Sequence, residues 1–300
     1  MNHMISISPY GAGSVTTQWP LVGGAELAHP EIWLDGAQEL CVFSNARSAL
    51  WGCLRHLRLS ESDEVCIQTT SNGPYISSCV TKTIESTCHW SRSISKNTKL
   101  IVVIHEFGFP CDEFRMRTLR CLGLPILEDC AYAVGSRISG AAVGRHGDYA
   151  VYSLSKYFPV PEGGLLVSRS GQFGDDEFVC TTGRRLSDAE SWRTFDSIAW
   201  SPAVLGQWNA TRVSNWHRFA RDLAGLDVAP YFPMSADAIP GVFVCTLPRR
   251  ADGEVLKNNF QSNGIEATQY YGHGGFYFPV HQFLENADVE LMIRLFGESI

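Results

Sequence analysis

The chain is short of charge. Asp, Glu, Lys and Arg make up 18% of its 300 residues, with a net charge of −7. It has no basic run. The densest basic pairs are Arg184-Arg185 and Arg249-Arg250, so the positive stripe that nucleic-acid binding requires is missing. No apolar stretch approaches the ~18 residues of a membrane span. Neither a nucleic-acid nor a membrane partner is therefore expected. Residues 1–11 lack the basic start and apolar core of a signal peptide. Ten cysteines are present, but no Cys-x-x-Cys pair, which removes the metal-ribbon and dithiol redox readings; no metal is expected. Several thiols sit inside apolar runs, as Cys66 does between Val65 and Ile67, where a free thiol acts as a small hydrophobe. A reducing cytoplasm is the simplest setting. The low charged fraction leaves more apolar surface to hide. Together with a Trp-rich stretch from Trp192 to Trp216, it points to a homodimer.

What is present is a core and an alternation. Hydrophobic residues make up 45% of the chain, enough for a substantial interior. Residues 40–43, 64–68, 125–128, 148–154 and 164–168 read as short apolar strands. Residues 99–105 (Lys-Leu-Ile-Val-Val-Ile-His) are the strongest strand signal; their unbroken apolar run suits a parallel strand buried on both faces. Between them, residues 45–58, 75–83 and 111–122 read as helices, the first capped by Ser44 or Asn45 and the last closed by Gly123. Strands alternating with helices from about residue 40 to 170 predict an α/β domain with a mainly parallel sheet. A long helix is expected over residues 203–224. A smaller α/β unit follows, with strands at 242–247 and 265–269 and helices at 252–262 and 288–296. The division expected is a large domain over 1–200 and a small one over 201–300.

Three polar pieces fall at strand ends, where catalytic groups of open α/β sheets gather. Asp129, in Leu127-Glu128-Asp129-Cys130-Ala131-Tyr132, closes a buried strand, and a carboxylate there needs a partner. A protonated pyridine nitrogen is one, and the proton so held keeps the ring an electron sink, the protein's main electronic contribution to pyridoxal 5'-phosphate (PLP) chemistry. Lys156, in Tyr152-Ser153-Leu154-Ser155-Lys156, follows another strand, and a desolvated lysine there can form a Schiff base. The hydroxyls of Ser153 and Ser155 suit a phosphate oxygen, and Gly163 and Gly164 permit close backbone approach. Ser44-Asn45-Ala46-Arg47-Ser48 opens the first helix, whose free N–H groups and dipole make an anion site, with Arg47 and Ser48 as added donors. Singly, each piece reads as a turn, a surface loop or a helix cap. In this order they form one constellation.

The constellation resembles the sugar aminotransferase family called DegT/StrS, within fold type I of the PLP enzymes, from about residue 44 to 168 and more weakly from 242 on. Ala46-Arg47-Ser48 takes the place of the family's phosphate-binding helix start. His105-Glu106-Phe107-Gly108-Phe109-Pro110 resembles its His-x-x-Gly-x-Pro turn. Glu128-Asp129-Cys130-Ala131-Tyr132 resembles its Glu-Asp-Ala-Ala-Gln, and Glu162-Gly163-Gly164 the Glu-Gly-Gly after its lysine. The resemblance implies a large parallel-sheet domain with a small C-terminal domain, PLP as cofactor, Asp129 as partner of the pyridine nitrogen and Lys156 as the Schiff-base lysine. Tyr132 stands where the family has Gln near the cofactor's 3'-oxygen, a bond that a phenol can also make. No Gly-x-Asn-x-Arg segment is recognisable between Arg185 and Gln207, and the C-terminal unit is compressed.

Other residues read two ways. Tyr75 is a ring-stacking residue or a core tyrosine. His105 contacts substrate or cofactor, or is a hydrogen-bonded structural histidine. Tyr270 and His273 lie in a Gly-rich stretch that would face the site from the small domain, as substrate contacts. Trp192, Trp200, Trp208 and Trp216 read as core or dimer surface. The expected reaction is transfer of an amino group from an amino acid to a keto or aldehyde acceptor, a keto sugar or small biosynthetic intermediate. Elimination or cyclisation at a β- or γ-carbon on the same cofactor stands as the alternative. Behind it comes a degenerate PLP-fold binding protein, against which the presence of both Lys156 and Asp129 speaks.

Overall fold

The computed structural model describes residues 4–10, 36–160, 163–173, 179–198 and 201–300. Two sheets organise the chain. The larger contains β1 (Glu39–Phe43), β2 (Glu64–Thr69), β3 (His89–Ser91), β4 (Thr98–Ile104) and β5 (Ile126–Asp129). After a small hairpin, β6 (Arg137–Ile138) and β7 (Ala141–Ala142), it is completed by β8 (Tyr149–Ser153) and β9 (Gly164–Ser168). Its order is β1-β9-β8-β5-β4-β2-β3. Pairings from β8 through to β3 are parallel, while β9 runs antiparallel to both its neighbours. The reason is in the residues of β4: Leu100, Ile101, Val102 and Val103 are all fully buried, so both faces of the strand are covered.

Helices α1 (Ala46–His56), α2 (Ser78–Glu85) and α3 (Glu113–Arg120) connect the strands. Asn45 caps α1 by accepting the Ser48 N–H at 3.0 Å, which leaves the N–H groups of Ala46 and Arg47 free at the helix start. Helix α2 begins at Ser78 rather than at Tyr75, because Tyr75 is drawn into the aromatic wall described below and Ser77 takes the capping position. A second hairpin, β10 (Val179–Cys180) with β11 (Gly183–Arg184), and helix α4 (Asp188–Ile198) had no counterpart among the expected elements. Helix α5 (Ser201–Leu223) is the long helix expected.

The C-terminal sheet contains β12 (Ala229–Pro230), β13 (Val242–Thr246), β14 (Thr268–Tyr270) and β15 (Gly275–Pro279), in the order β12-β13-β15-β14, all antiparallel. Helices α6 (Gly253–Ser262) and α7 (Asn286–Ser299) cover it. The strand expected over 265–269 starts later, at Thr268; Ile265 instead bridges in parallel to Ile5 near the N-terminus. Strand β15 was not foreseen. Its alternation is plain once seen: Phe276 and Phe278 enter the small core, while Tyr277 points the other way.

The two sheets share a seam. After β4, Phe107 adopts a left-handed backbone (φ 53°) and Gly108 follows at φ 96°. A Cβ on Gly108 would lie 2.0 Å from the Ile239 carbonyl, so only glycine fits there. The Phe107 carbonyl accepts the Gly241 N–H at 2.7 Å, and Phe109 stacks on Phe232 at 4.8 Å. The conformation unfavourable for Phe107 is held by this seam, and strained backbone of this kind gathers at functional sites.

Candidate active site

The last residues of β2, β4, β5 and β8 are Thr69, Ile104, Asp129 and Ser153, and all four line one cavity of about 430 Å³. Parallel strands end on the same edge, so the topology alone gathers them. The start of α1 (Asn45, Ala46, Arg47) forms another wall, and Tyr75, Phe107, Tyr132 and Tyr277 supply aromatic surface. Lys156 enters from the short turn after β8.

Asp129 accepts the Ala131 N–H at 3.0 Å. Burial raises its pKa, opposed by that hydrogen bond and by Lys156. Burial likewise pushes the Lys156 amine down to about 8, opposed chiefly by Asp129. The pair thus has the form of a desolvated acid and base, each moved toward neutrality, on the wall of one cavity. The Lys156 Nζ lies 3.2 Å from the centroid of the Tyr132 ring.

His105 lies on the wall with its ring fixed at both nitrogens. Nδ1 accepts the Cys111 N–H at 3.0 Å, which leaves the proton on Nε2, 2.9 Å from the Glu128 carboxylate. Glu128 is completely buried, and its two oxygens also accept the N–H groups of Gly144, His146 and Gly147. Burial raises its pKa, but the hydrogen bond from His105 and the backbone donors outweigh it, and the carboxyl is held below its ordinary range. His105, Glu128 and Cys130 bring their ligand atoms within 4.8 Å of one another, but the acceptor positions of the carboxylate are already filled by these donors. The cluster is a hydrogen-bonded support for the His105 ring.

The far end of the cavity meets the small sheet. Tyr75 lies 6.0 Å from Phe107 and 5.0 Å from Tyr270, ring to ring. Its hydroxyl lies 3.4 Å from that of Tyr277. Tyr270 is buried behind this wall and donates to the Glu106 carboxylate at 2.8 Å. His273 stacks on Tyr270 at 4.3 Å and bonds the Tyr231 hydroxyl. The two expected substrate contacts, Tyr270 and His273, therefore stand one layer behind the wall, and Tyr277 is the small-sheet residue on it.

The end near α1 has the features of an anion cradle. A second cavity, about 680 Å³, adjoins the first through Asn45 and Ser153 and is lined by Ser44, Ser155, Gly163, Thr181 and Thr182. A Cβ on Gly164 would lie 2.2 Å from the Asn45 carbonyl, so glycine lets β9 press against the helix start. The β10–β11 hairpin closes this end: Asn45 Nδ2 donates to the Thr182 carbonyl at 2.6 Å, and the Ser44 N–H donates to the Arg184 carbonyl at 2.9 Å. Ser48 is fully buried with its hydroxyl bonded to Asn45 Oδ1, so it belongs to the cap rather than to the cavity wall. Ser155 lines only the second cavity, Ser153 both. Glu162 lies outside the described residues, as does Trp200. Of the other tryptophans, Trp216 is in the core, Trp208 is half-buried against Phe283, and Trp192 is exposed.

Sequence reasoning missed Arg212 on α5. It is fully buried, stacks 4.5 Å over the Tyr157 ring, donates to the Lys156 carbonyl at 3.1 Å and to Gln282 Oε1 at 3.0 Å. It ties the lysine turn to the C-terminal unit. A buried arginine carries no periodic signature, and sequence rules assign arginine to the surface.

These residues fit PLP: a helix start with free N–H groups and two serines for a phosphate, a carboxylate for a ring nitrogen, and an amine of lowered pKa for an aldehyde. The fold is that of the fold type I PLP-dependent aminotransferases. Aminotransferase TlmJ from Streptoalloteichus hindustanus superposes with a TM-score of 0.68 at 18% identity, over 85% of this chain and 84% of that one. Residues 84–189, which carry β4, Asp129 and Lys156, match the DegT/DnrJ/EryC1/StrS aminotransferase family, as the motifs had suggested. GDP-perosamine synthase of Vibrio cholerae is 39% identical over 85 residues, 26% of this chain and 22% of that protein. GDP-perosamine synthase of Escherichia coli O157:H7 is 32% identical over 141 residues, 42% of this chain and 39% of that protein. The matched stretches thus span well under half of either relative.

Proposed function

We propose that the chain binds PLP covalently through Lys156 and moves an amino group from an amino acid donor to a keto or aldehyde acceptor. The observation that carries this reading is Lys156 and Asp129 facing one cavity whose third side is the start of α1. When bound, the cofactor supplies an aldehyde that attaches amines and a cationic ring that withdraws electrons from the attached carbon. Asp129 holds the proton at the ring nitrogen. The N–H groups of Ala46 and Arg47, with Ser153 and Ser155, hold the phosphate. His105 presents a ring whose tautomer is fixed by Cys111 and Glu128, so it meets the occupant in one orientation. The Lys156 amine, neutral above about pH 8, is the base that takes a proton from the substrate carbon and returns it. Tyr75, Phe107 and Tyr277 exclude water from that transfer.

The acceptor in this reading is a keto sugar with a phosphorylated tail. A groove of about 510 Å³ shares Arg47 and Cys79 with the cofactor cavity and adds Lys82, Trp51 and Thr182. Two cations and an indole beside the reacting centre suit an anionic, ring-bearing group, and the relatives named above are sugar-nucleotide enzymes. We also read the chain as a cytoplasmic homodimer, with domains over 1–200 and 201–300. All ten cysteines are free thiols, the exposed Trp192 offers an apolar contact, and among the described residues no helix is long and apolar enough to cross a membrane.

The test is the half-reaction. PLP-loaded protein is mixed with glutamate, glutamine, aspartate or alanine and followed by absorbance. Conversion to the pyridoxamine form with release of a keto acid is expected with one of them. If no donor gives it while some amino acid is consumed with elimination or ring closure, the transfer reading fails.

A further inference from the structure

We propose that the face of the Tyr132 ring is the seat of the protonated Lys156 amine. The Nζ lies 3.2 Å from the ring centroid, well inside the range of a cation–π contact. Several features of the fold hold the ring in that place. The Tyr132 carbonyl accepts the Tyr157 hydroxyl, and Phe107 packs against the ring at 5.8 Å. A Cβ on Gly241 would come 2.7 Å from Tyr132 Cδ1, so this glycine makes room for the ring. Burial raises the Tyr132 pKa, so the phenol stays neutral, and the ring's own electron density is what the amine meets.

The geometry gives Tyr132 work that a glutamine at this position could not do. An amide lacks the electron-rich ring face that attracts an ammonium. In a site where Lys156 is both the attachment point and the base, the amine spends part of each cycle free and protonated. Burial disfavours that state. The groups acting on the amine are the Asp129 carboxylate from β5, the Cys79 side chain from α2 and Glu266 from the segment before β14, with Asp129 the principal one. Arg47, His105, Tyr75 and Tyr277 line the same cavity. Only the Tyr132 ring is placed directly under Nζ among the described residues. It keeps the cation beside the reacting centre, so the proton is not lost to solvent. This role rests on the PLP reading for its meaning, but the contact can be tested with no cofactor present.

The experiment uses the cofactor-free protein with its lysines reductively methylated with ¹³C. Each signal is titrated by NMR, and the Lys156 signal is assigned by its loss in Lys156→Arg. Without the ring the charged amine is less stable, so its pKa falls: Tyr132→Leu should lower the midpoint by about one pH unit. Tyr132→Phe keeps the ring and should move the midpoint little. Phenylalanines carrying successive ring fluorines at this position drain the π face at nearly constant shape, and the midpoint should step down with each. That series keeps the test open if Tyr132→Leu does not fold. An unchanged midpoint in the leucine variant, or no trend along the fluorine series, overturns the proposal. So does a shift in Tyr132→Phe as large as in Tyr132→Leu, since the hydroxyl and not the ring would then be responsible. Failure of the wild-type protein to take up PLP would instead remove the cofactor reading and leave this contact standing.

Discussion

The two sheets bury different chemistry. The core of the small sheet is hydrocarbon: Phe260 meets Phe276, Phe278 and Phe296 at ring distances of 5.4–5.6 Å, and all four are fully buried. The strand-end edge of the large sheet holds a half-buried lysine and aspartate and a fully buried glutamate and histidine at or beside one cavity. Aromatic contacts favour a single packing and ask little of their neighbours. Buried charge is stable only if each group is matched, and the Glu128 oxygens with their four donors show how completely that is done. The lesson is a division of labour: one region gains its stability from packing, while the other holds ionisable groups in states that water would not allow.

That division can be broken deliberately, beginning with the largest effect. Phe260→Ala empties the middle of the small core and should destabilise the protein by ~3–5 kcal/mol. Calorimetry should show a melting point lower by roughly 10 °C, while PLP uptake below the transition is unchanged. A loss of uptake in the folded variant would show that the two regions are not separable. Glu128→Gln should do both kinds of damage. An amide NH₂ would face backbone N–H groups, at about 3 kcal/mol in stability. The His105 ring would also lose its fixed partner, seen as an altered cofactor spectrum. A lower melting point with an unchanged spectrum would reduce Glu128 to a structural residue.

Asp129→Asn is the opposite case to Phe260→Ala. The side chain keeps its shape, so the melting point should hold, but an amide cannot keep a ring nitrogen protonated. Turnover should fall by at least ~2–3 kcal/mol of transition-state stabilisation, roughly thirtyfold to a hundredfold or more, while covalent attachment survives. Near wild-type turnover would refute the role. The smallest effect is one of pH. Burial lowers the Lys156 pKa to about 8, and in the proposed reading it is the neutral amine that captures the aldehyde. PLP capture by the cofactor-free protein should therefore climb about tenfold per pH unit below that value and level off above it. A profile still rising at pH 10 would mean that the amine is solvated.

What could be read from the sequence follows the same division. The buried parallel strands were legible, because a strand covered on both faces is a continuous apolar run; residues 99–105 and β4 (Thr98–Ile104) nearly coincide. That Asp129 and Lys156 would meet at one cavity was legible because they stand at or just past the ends of such runs. The His105–Glu128 pair was not, since it is made by neighbouring strands and no local period records it. Tyr277 was hidden in an aromatic run whose alternation has meaning only once a second sheet supplies an inside and an outside. The β10–β11 hairpin has two residues per strand, too few for any period, and it is tied to the α1 cap by a hydrogen bond from the distant Asn45. Arg212 was invisible because its partners are carbonyls and a ring brought from distant parts of the chain.

The central claim is that Lys156 is where the cofactor attaches. Protein loaded with PLP is reduced with borohydride, digested and mapped. The account predicts a single pyridoxyl tag on the peptide containing Lys156, and no tag in Lys156→Ala with PLP supplied. A tag on Lys82, Lys96, Lys99 or Lys257, or none on the wild-type chain, would contradict it.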